Sequence, residues 1–153
     1  MKPIRNSARA IILSDGCLLS IVHADSDGAW YSLPGGGQHP GENLEETLKR
    51  ECLEELGVPV QVGALRYVRD YISAHHEFSV EDPDLHHLEL MIACSLLGDP
   101  AAAQPSNPDT DQLGIAWLPV AELASFRLYP SQLRTLLPQG PGQDSPLYLG
   151  DVN

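Results

Sequence analysis

The sequence predicts an α/β fold in which a central mixed β-sheet is covered by helices on its faces. Two observations predict it. Segments with strand patterning outnumber helical ones and arrive in antiparallel-looking runs, and one long amphipathic helix is inserted after the third of them. The length of 153 residues suits one domain over 1–153, long enough to bury roughly two-thirds of the surface that its unfolded form exposes.

The elements follow in chain order. From Ile4 to His23 the chain is apolar and β-rich, and Ser14-Asp15-Gly16 interrupts it as a turn, which predicts a hairpin. A second turn at Asp25–Gly28 leads to the short stretch Trp30–Leu33, and Pro34-Gly35-Gly36-Gly37 must end extended structure there. Asn43 is a good N-cap with Glu46 three residues on, and Gly57 and Pro59 supply a stop, so a helix is expected over Leu44–Leu56. Val60–Tyr71 and Leu88–Leu97 alternate or run apolar like strands, and the polar stretch His75–His87 between them reads as a loop. Asp99–Gln112, rich in Pro, Ala and Asp, is a long loop. Ile115–Leu118 reads as a last core strand, Val120–Ser125 and Ser131–Leu137 as short helices, and residues 138–153 as a loosely held tail.

The formal charge of −12, from 21 acidic residues against 9 Lys plus Arg, sets up a field that repels phosphate backbones and anionic membranes. Duplex nucleic acid and membranes are therefore not expected partners. An anionic small molecule stays admissible, because divalent cations invert the local field where carboxylates cluster. Cys17, Cys52 and Cys94 are odd in number, widely spaced and apolar in setting, as free cysteines of a reducing compartment would be. No signal-peptide pattern opens the chain and no apolar run approaches the roughly 18 residues of a membrane span. Cytoplasmic residence is the expectation.

The helix carries the chemistry. At about 100° per residue, Leu44, Leu48, Cys52 and Leu56 form a stripe roughly 120° wide that must face the sheet. On the same wheel Glu51, Glu54 and Glu55 occupy a sector of about 100° that overlaps the edge of that stripe. Carboxylates at the rim of a buried face suffer desolvation and mutual repulsion unless a cation compensates them, and hard divalent ions take such oxygen ligands. Glu42, Glu45 and Glu46 lie further round, where a solvated face or a capping role suffices. Arg50 is one turn before Glu54 and next to Glu51; it serves either as an ordinary surface ion pair or as a fork that orients a carboxylate. The glycine run ahead of the helix makes a tight turn or a close backbone approach to a metal or phosphate.

Gly36, five residues, Glu42, seven residues, then Arg50-Glu51-Cys52-Leu53-Glu54-Glu55-Leu56-Gly57-Val58 resembles the Nudix box, G-x5-E-x7-R-E-U-x-E-E-x-G-U, where U is a bulky aliphatic residue. Every fixed polar and glycine position matches over these 23 residues; only Cys52 departs, at an aliphatic position where it still packs as a small hydrophobe. Leu33-Pro34-Gly35-Gly36-Gly37 before the box and Trp117-Leu118-Pro119 after it also look like the family.

The resemblance implies an α/β/α sandwich that hydrolyses a nucleoside diphosphate linked to another moiety, using Mg²⁺ or Mn²⁺. By position it implies Glu51, Glu54, Glu55 and the Gly36 carbonyl as metal ligands, Arg50 as the orienter of the carboxylates, and Glu42 as structural. Asp111 stands where family members carry a fourth acidic ligand or base, and it reads equally as a loop aspartate beside Asp109; Glu89 is a weaker candidate for the same role. Tyr31 and Phe78 are the aromatics favoured for stacking on a substrate. His75, His76, His86 and His87 either hold a phosphate or are solvated loop residues. Homodimers are common in the family. The rival function is a catalytically silent module that senses a nucleotide; eroded box positions would mark one, and here they are intact.

Overall fold

In the computed structural model, residues 2–77, 82–100, 112–142 and 145–153 are described. Their order is β1 (Arg5–Ser14), β2 (Cys17–Asp25), β3 (Gly28–Ser32), β4 (Gly35–Gly37), α1 (Leu44–Leu56), β5 (Val60–Ile72), β6 (His86–Leu96), β7 (Gly114–Pro119), a 3₁₀ turn over Val120–Ser125, α2 (Leu133–Gln139) and β8 (Tyr148–Asp151). The strands make a mixed sheet in the order β3-β2-β1-β6-β5-β8, with β4 paired to β1 and β7 to β2. This is the α/β arrangement expected. None of the described helices is long and apolar enough to cross a membrane.

The expected hairpin forms only at its turn. Asp15 and Gly16 both take positive φ, as a two-residue hairpin turn requires, but β1 pairs with β2 only at Leu13–Leu18 and Ser14–Cys17. Beyond that the strands part: Ser7–Arg9 of β1 pairs with β4 and Arg5–Ile12 runs parallel to β6, while β2 pairs with β3 and β7. Local sequence writes the turn; which partner each strand keeps is decided by the cores on either side.

Strand alternation builds those cores. Ala8, Ala10 and Ile12 of β1, with Leu19 and Ile21 of β2, pack under Leu48, Cys52 and Leu56 of α1. Ile11 and Leu18 face the other way, with Tyr67 and Met91, onto Leu123, Leu133 and Leu137. Side chains that alternate in direction along a strand thus feed opposite faces, which is why one sheet carries helical cover on both.

The tail differs from expectation. Residues 145–153 are not loosely held: β8 runs parallel to β5, Asp151 accepts the Ile72 N–H at 3.0 Å, and Ser131 Oγ donates to the Asn153 carbonyl at 2.7 Å. A four-residue strand with a glycine inside it has too little pattern to be read locally. Its side-chain and backbone partners lie some 70 residues or more away along β5 and just beyond it.

Candidate active site

The acidic helix begins with a full capping box: Asn43 Oδ1 accepts the Glu46 N–H and Glu46 Oε2 accepts the Asn43 N–H, both at 2.8 Å. Gly57 ends it in the left-handed conformation, with its N–H on the Leu53 carbonyl. The caps set the bounds of the helix; burial of Leu48, Cys52 and Leu56 against β1 and β2 sets its rotation, and hence where each carboxylate points.

Glu55 is buried, 5% exposed, and accepts the Gly35 N–H at 2.8 Å, so it ties α1 to β4. Glu51 is less enclosed and takes one Arg50 Nη1 bond at 2.8 Å through Oε1. Glu54 is the most open of the three, 30% exposed, and its nearest charged partner is Arg50 at 3.8 Å, beyond hydrogen-bond reach. Gly36 lies against Glu51 so closely that a Cβ there would come 2.5 Å from the carboxylate carbon, so only glycine leaves both groups in place.

Arg50 is no ordinary surface pair. Its Nε and Nη2 hold Glu42 at 2.6 and 3.0 Å, Nη2 also reaches the Gly37 carbonyl at 2.9 Å, and Nη1 holds Glu51. Glu42 accepts two further bonds, from the His39 N–H and the Thr47 hydroxyl. The Arg50 bonds above all, with those from His39 and Thr47, bring the Glu42 carboxyl down to about 2. Glu42 is thus a saturated strut that aims Arg50 at Glu51.

Among the described residues, no three His, Cys, Asp or Glu groups are drawn together into a closed metal cage. The donor set nonetheless fits a hard divalent ion. It consists of oxygens, on one helix flank, packed against glycine backbone with no intervening side chain. Asp111 and Phe78 lie outside the described residues.

Next to the helix opens a cavity of about 710 Å³. One wall is aromatic: the Trp30 indole stacks on His23 at 4.0 Å, and the Tyr129 ring stands edge-on to Trp30 at 6.1 Å. Tyr31, expected as a stacking residue, does not line the cavity; its ring packs edge-on against Phe126 in the second core. The period of two along β3 explains the exchange, since neighbours on a strand face opposite ways. The other wall carries Arg9, Arg69, His87, Glu89 and Tyr71.

Glu89 is corrected as a candidate base. It is 4% exposed, and its two oxygens accept Arg9 Nε at 2.9 Å and Arg69 Nε at 2.6 Å. Burial alone would raise its pKa, but the two guanidiniums outweigh burial and hold it at about 2. A carboxylate so clamped is a poor proton acceptor. His75 and His76 sit 2.6 and 2.7 Å from Asp151, and His86 sits 2.7 Å from Asp70, so these three fasten β8 and the ends of β5 and β6; of these four histidines it is His87 that lines the cavity.

Arg9 and Arg69 were missed in the sequence. Arg9 had one local signal, a lone charge inside the apolar run Ala8–Leu13, which a buried strand tolerates only beside an opposite charge.

A model of the NUDIX domain matches residues 3–139. Nucleoside triphosphatase NudI of Salmonella newport (strain SL254) is 29% identical over 135 residues, spanning 85% of this chain and 92% of the relative. A solved ADP-ribose pyrophosphatase from Streptococcus suis 89-1591 aligns with a TM-score of 0.63 at 20% identity, over 96% of this chain and 98% of the other. A NUDIX hydrolase from Nitrosomonas europaea aligns with a TM-score of 0.67 at 15% identity, over 99% and 79% of the two chains. At such identities the structural likeness speaks to the fold.

Proposed function

Because the chain belongs to the Nudix family and is a pyrophosphohydrolase with it, we propose that it cleaves the diphosphate bond of a nucleoside diphosphate linked to another moiety, with Mg²⁺ or Mn²⁺ held by Glu51, Glu54, Glu55 and the Gly36 carbonyl. The observation that carries this reading is the Gly36–Glu51 contact: an oxygen-only donor set lies on bare backbone, beside a cavity large enough for a nucleotide. A bound divalent ion would screen the diphosphate oxygens and lower the pKa of a water.

The chain's own residues do the remainder. Arg50, braced by Glu42, holds Glu51 in place. Glu55 anchors the helix to β4 through Gly35. Glu54 accepts no hydrogen bond from a described residue and is the carboxylate able to take the proton of the attacking water. Trp30, stacked on His23, lines the cavity and is the aromatic placed to meet a base. Asp111 stays a candidate fourth ligand on its sequence position. The silent-sensor alternative has nothing in this geometry to favour it, since the Arg50–Glu51 pair and its Glu42 brace are complete.

The test is phosphate release from nucleoside triphosphates, nucleotide sugars, ADP-ribose and dinucleoside polyphosphates with Mg²⁺ or Mn²⁺. Glu54→Gln is expected to lower kcat about 10²–10⁴-fold with little change in Tm, and a chelator to abolish turnover. Wild-type rates in Glu54→Gln, or turnover indifferent to chelation, would sink the proposal.

A further inference from the structure

A chain of net charge −12 has 9 Lys and Arg to place, and two of them, Arg9 and Arg69, line one wall of the cavity. Register puts them there. Arg9 is on β1, Glu89 on β6 lies opposite Ser7 of β1 and Arg69 of β5, and Tyr71 of β5 lies opposite His87. Arg9, Glu89, His87 and Arg69 therefore share one face across three adjacent strands.

Glu89 consumes both Nε atoms. Arg9 Nη1 goes to the Leu33 and Gly35 carbonyls at 3.3 and 3.1 Å, and Arg69 Nη1 to the Val152 carbonyl at 2.7 Å. Among the described residues the Nη2 of each has no hydrogen-bond acceptor, and His87 Nε2 is buried with no partner at all. Two guanidiniums against one carboxylate leave the wall a net positive charge. Burial above all, joined by Arg5, Arg9 and Arg69, outweighs the opposing pull of Glu89 and lowers the His87 pKa, so at neutral pH its Nε2 is a neutral donor in one tautomer. Arg9, Arg69 and His87 thus line one cavity, each with a nitrogen that has no hydrogen-bond partner among the described residues, in a protein otherwise acidic. Planar guanidinium forks suit phosphate oxygens.

We propose that Arg69 and His87, with Arg9 at the inner end beside Glu55, form a subsite for a substrate phosphate outside the bond that is cleaved, and that this wall selects nucleotides carrying such a phosphate over those whose second moiety is uncharged. The inference rests on the hydrolase reading above, because Arg9 is where the acidic helix and this wall meet. The phosphate has two possible sources, the end of a triphosphate chain or a phosphorylated sugar. Both offer the same dianion.

The experiment compares kcat/KM for a nucleoside triphosphate, a nucleoside diphosphate sugar with an uncharged sugar, and the same compound with a phosphorylated sugar. The wild type is set against His87→Ala, which removes a ring whose Nε2 has no hydrogen-bond partner among the described residues, and Arg69→Lys, which keeps charge but loses the fork. Preference for the phosphate-bearing compound over the uncharged one is expected to fall roughly tenfold, the scale of a charge-assisted hydrogen bond, through KM more than kcat. Whether the triphosphate or the phosphosugar suffers the loss names the source. An unchanged preference overturns the subsite. Should no compound be turned over, the hydrolase reading fails by itself, and inorganic phosphate titrated without metal decides instead. It must move the His87 ring resonance in the wild type and not in Arg69→Lys; an unmoved wild-type resonance overturns the subsite.

Discussion

Two charged regions meet in one cavity, and they are built in opposite ways. The acidic flank comes from thirteen consecutive residues of α1, with caps that set its bounds; Glu51 and Glu54 keep some contact with solvent, while Glu55 is buried against β4. The cationic wall comes from three strands: Arg9 and Glu89 are 80 residues apart, Arg69 and Glu89 are 20 apart, and the Glu89–Arg69 pair is buried. Helical placement depends on a rotation per residue that any reader of the sequence can apply. Placement across a sheet depends on register, which no single segment specifies. The energetic contrast follows. Ion pairs at a solvated rim contribute about 0–1 kcal/mol, whereas leaving one charge of a buried pair without its partner costs about 3–5 kcal/mol.

The sharpest way to break the comparison is Glu89→Gln. It leaves Arg9 and Arg69 without their shared counter-charge, and is expected to reduce stability by about 3–5 kcal/mol in chemical denaturation. A loss under about 1 kcal/mol would place this triad with surface pairs. The pH dependence sharpens the same point. The folded Glu89 carboxyl is held at about 2 against an ordinary 4.5, so its stabilisation is fully present above that ordinary value and is lost as pH falls through about 2. Glu89→Gln should flatten the acid limb of the stability curve across that window. An unaltered limb would assign acid lability to other carboxylates.

On the acidic side, Glu42→Gln removes the brace behind Arg50 without touching Glu51, Glu54 or Glu55. Loss of a partner that orients ligands typically costs 10–100-fold, so kcat should drop by about that much while the fold persists. Recovery in Glu42→Asp is not expected, because the shorter carboxylate cannot span Arg50, His39 and Thr47 at once. Equal activity in Glu42→Gln would make Arg50 self-sufficient.

The smallest effect separates neighbours. Trp30→Ala should raise KM about tenfold, within the range of base–aromatic stacking, with Tm little changed. Tyr31→Ala should do the reverse, lowering Tm through the second core and leaving KM alone. Matching KM effects for both would undo the assignment of walls from strand alternation.

Legibility followed the same divide. Asn43, Glu46 and Gly57 are local signals, and α1 has the bounds expected from them. The box itself was readable because its chemistry is carried on one helix and the turn before it. The sequence favours Tyr31 for the cavity and the structure puts Trp30 there, because the phase of a five-residue strand is set by which face the core takes. Neither His75 and His76 on Asp151 nor β8 on β5 has any short-range cue. Glu89 looked free in sequence because its two arginines are supplied by other strands.

By itself the sequence determined the acidic helix, its caps, the glycine turn against it, the strand-rich mixed class and the family resemblance, since each depends on contacts within a few residues of the chain. Only the tertiary structure decided that the turn at Asp15–Gly16 opens into two diverging strands, that the final segment becomes an edge strand, and that Arg9, Arg69 and His87 face one cavity with Trp30 across from them. Those outcomes depend on register and on which face of each strand is buried, and both are settled only when distant segments compete for the same hydrogen bonds and the same core.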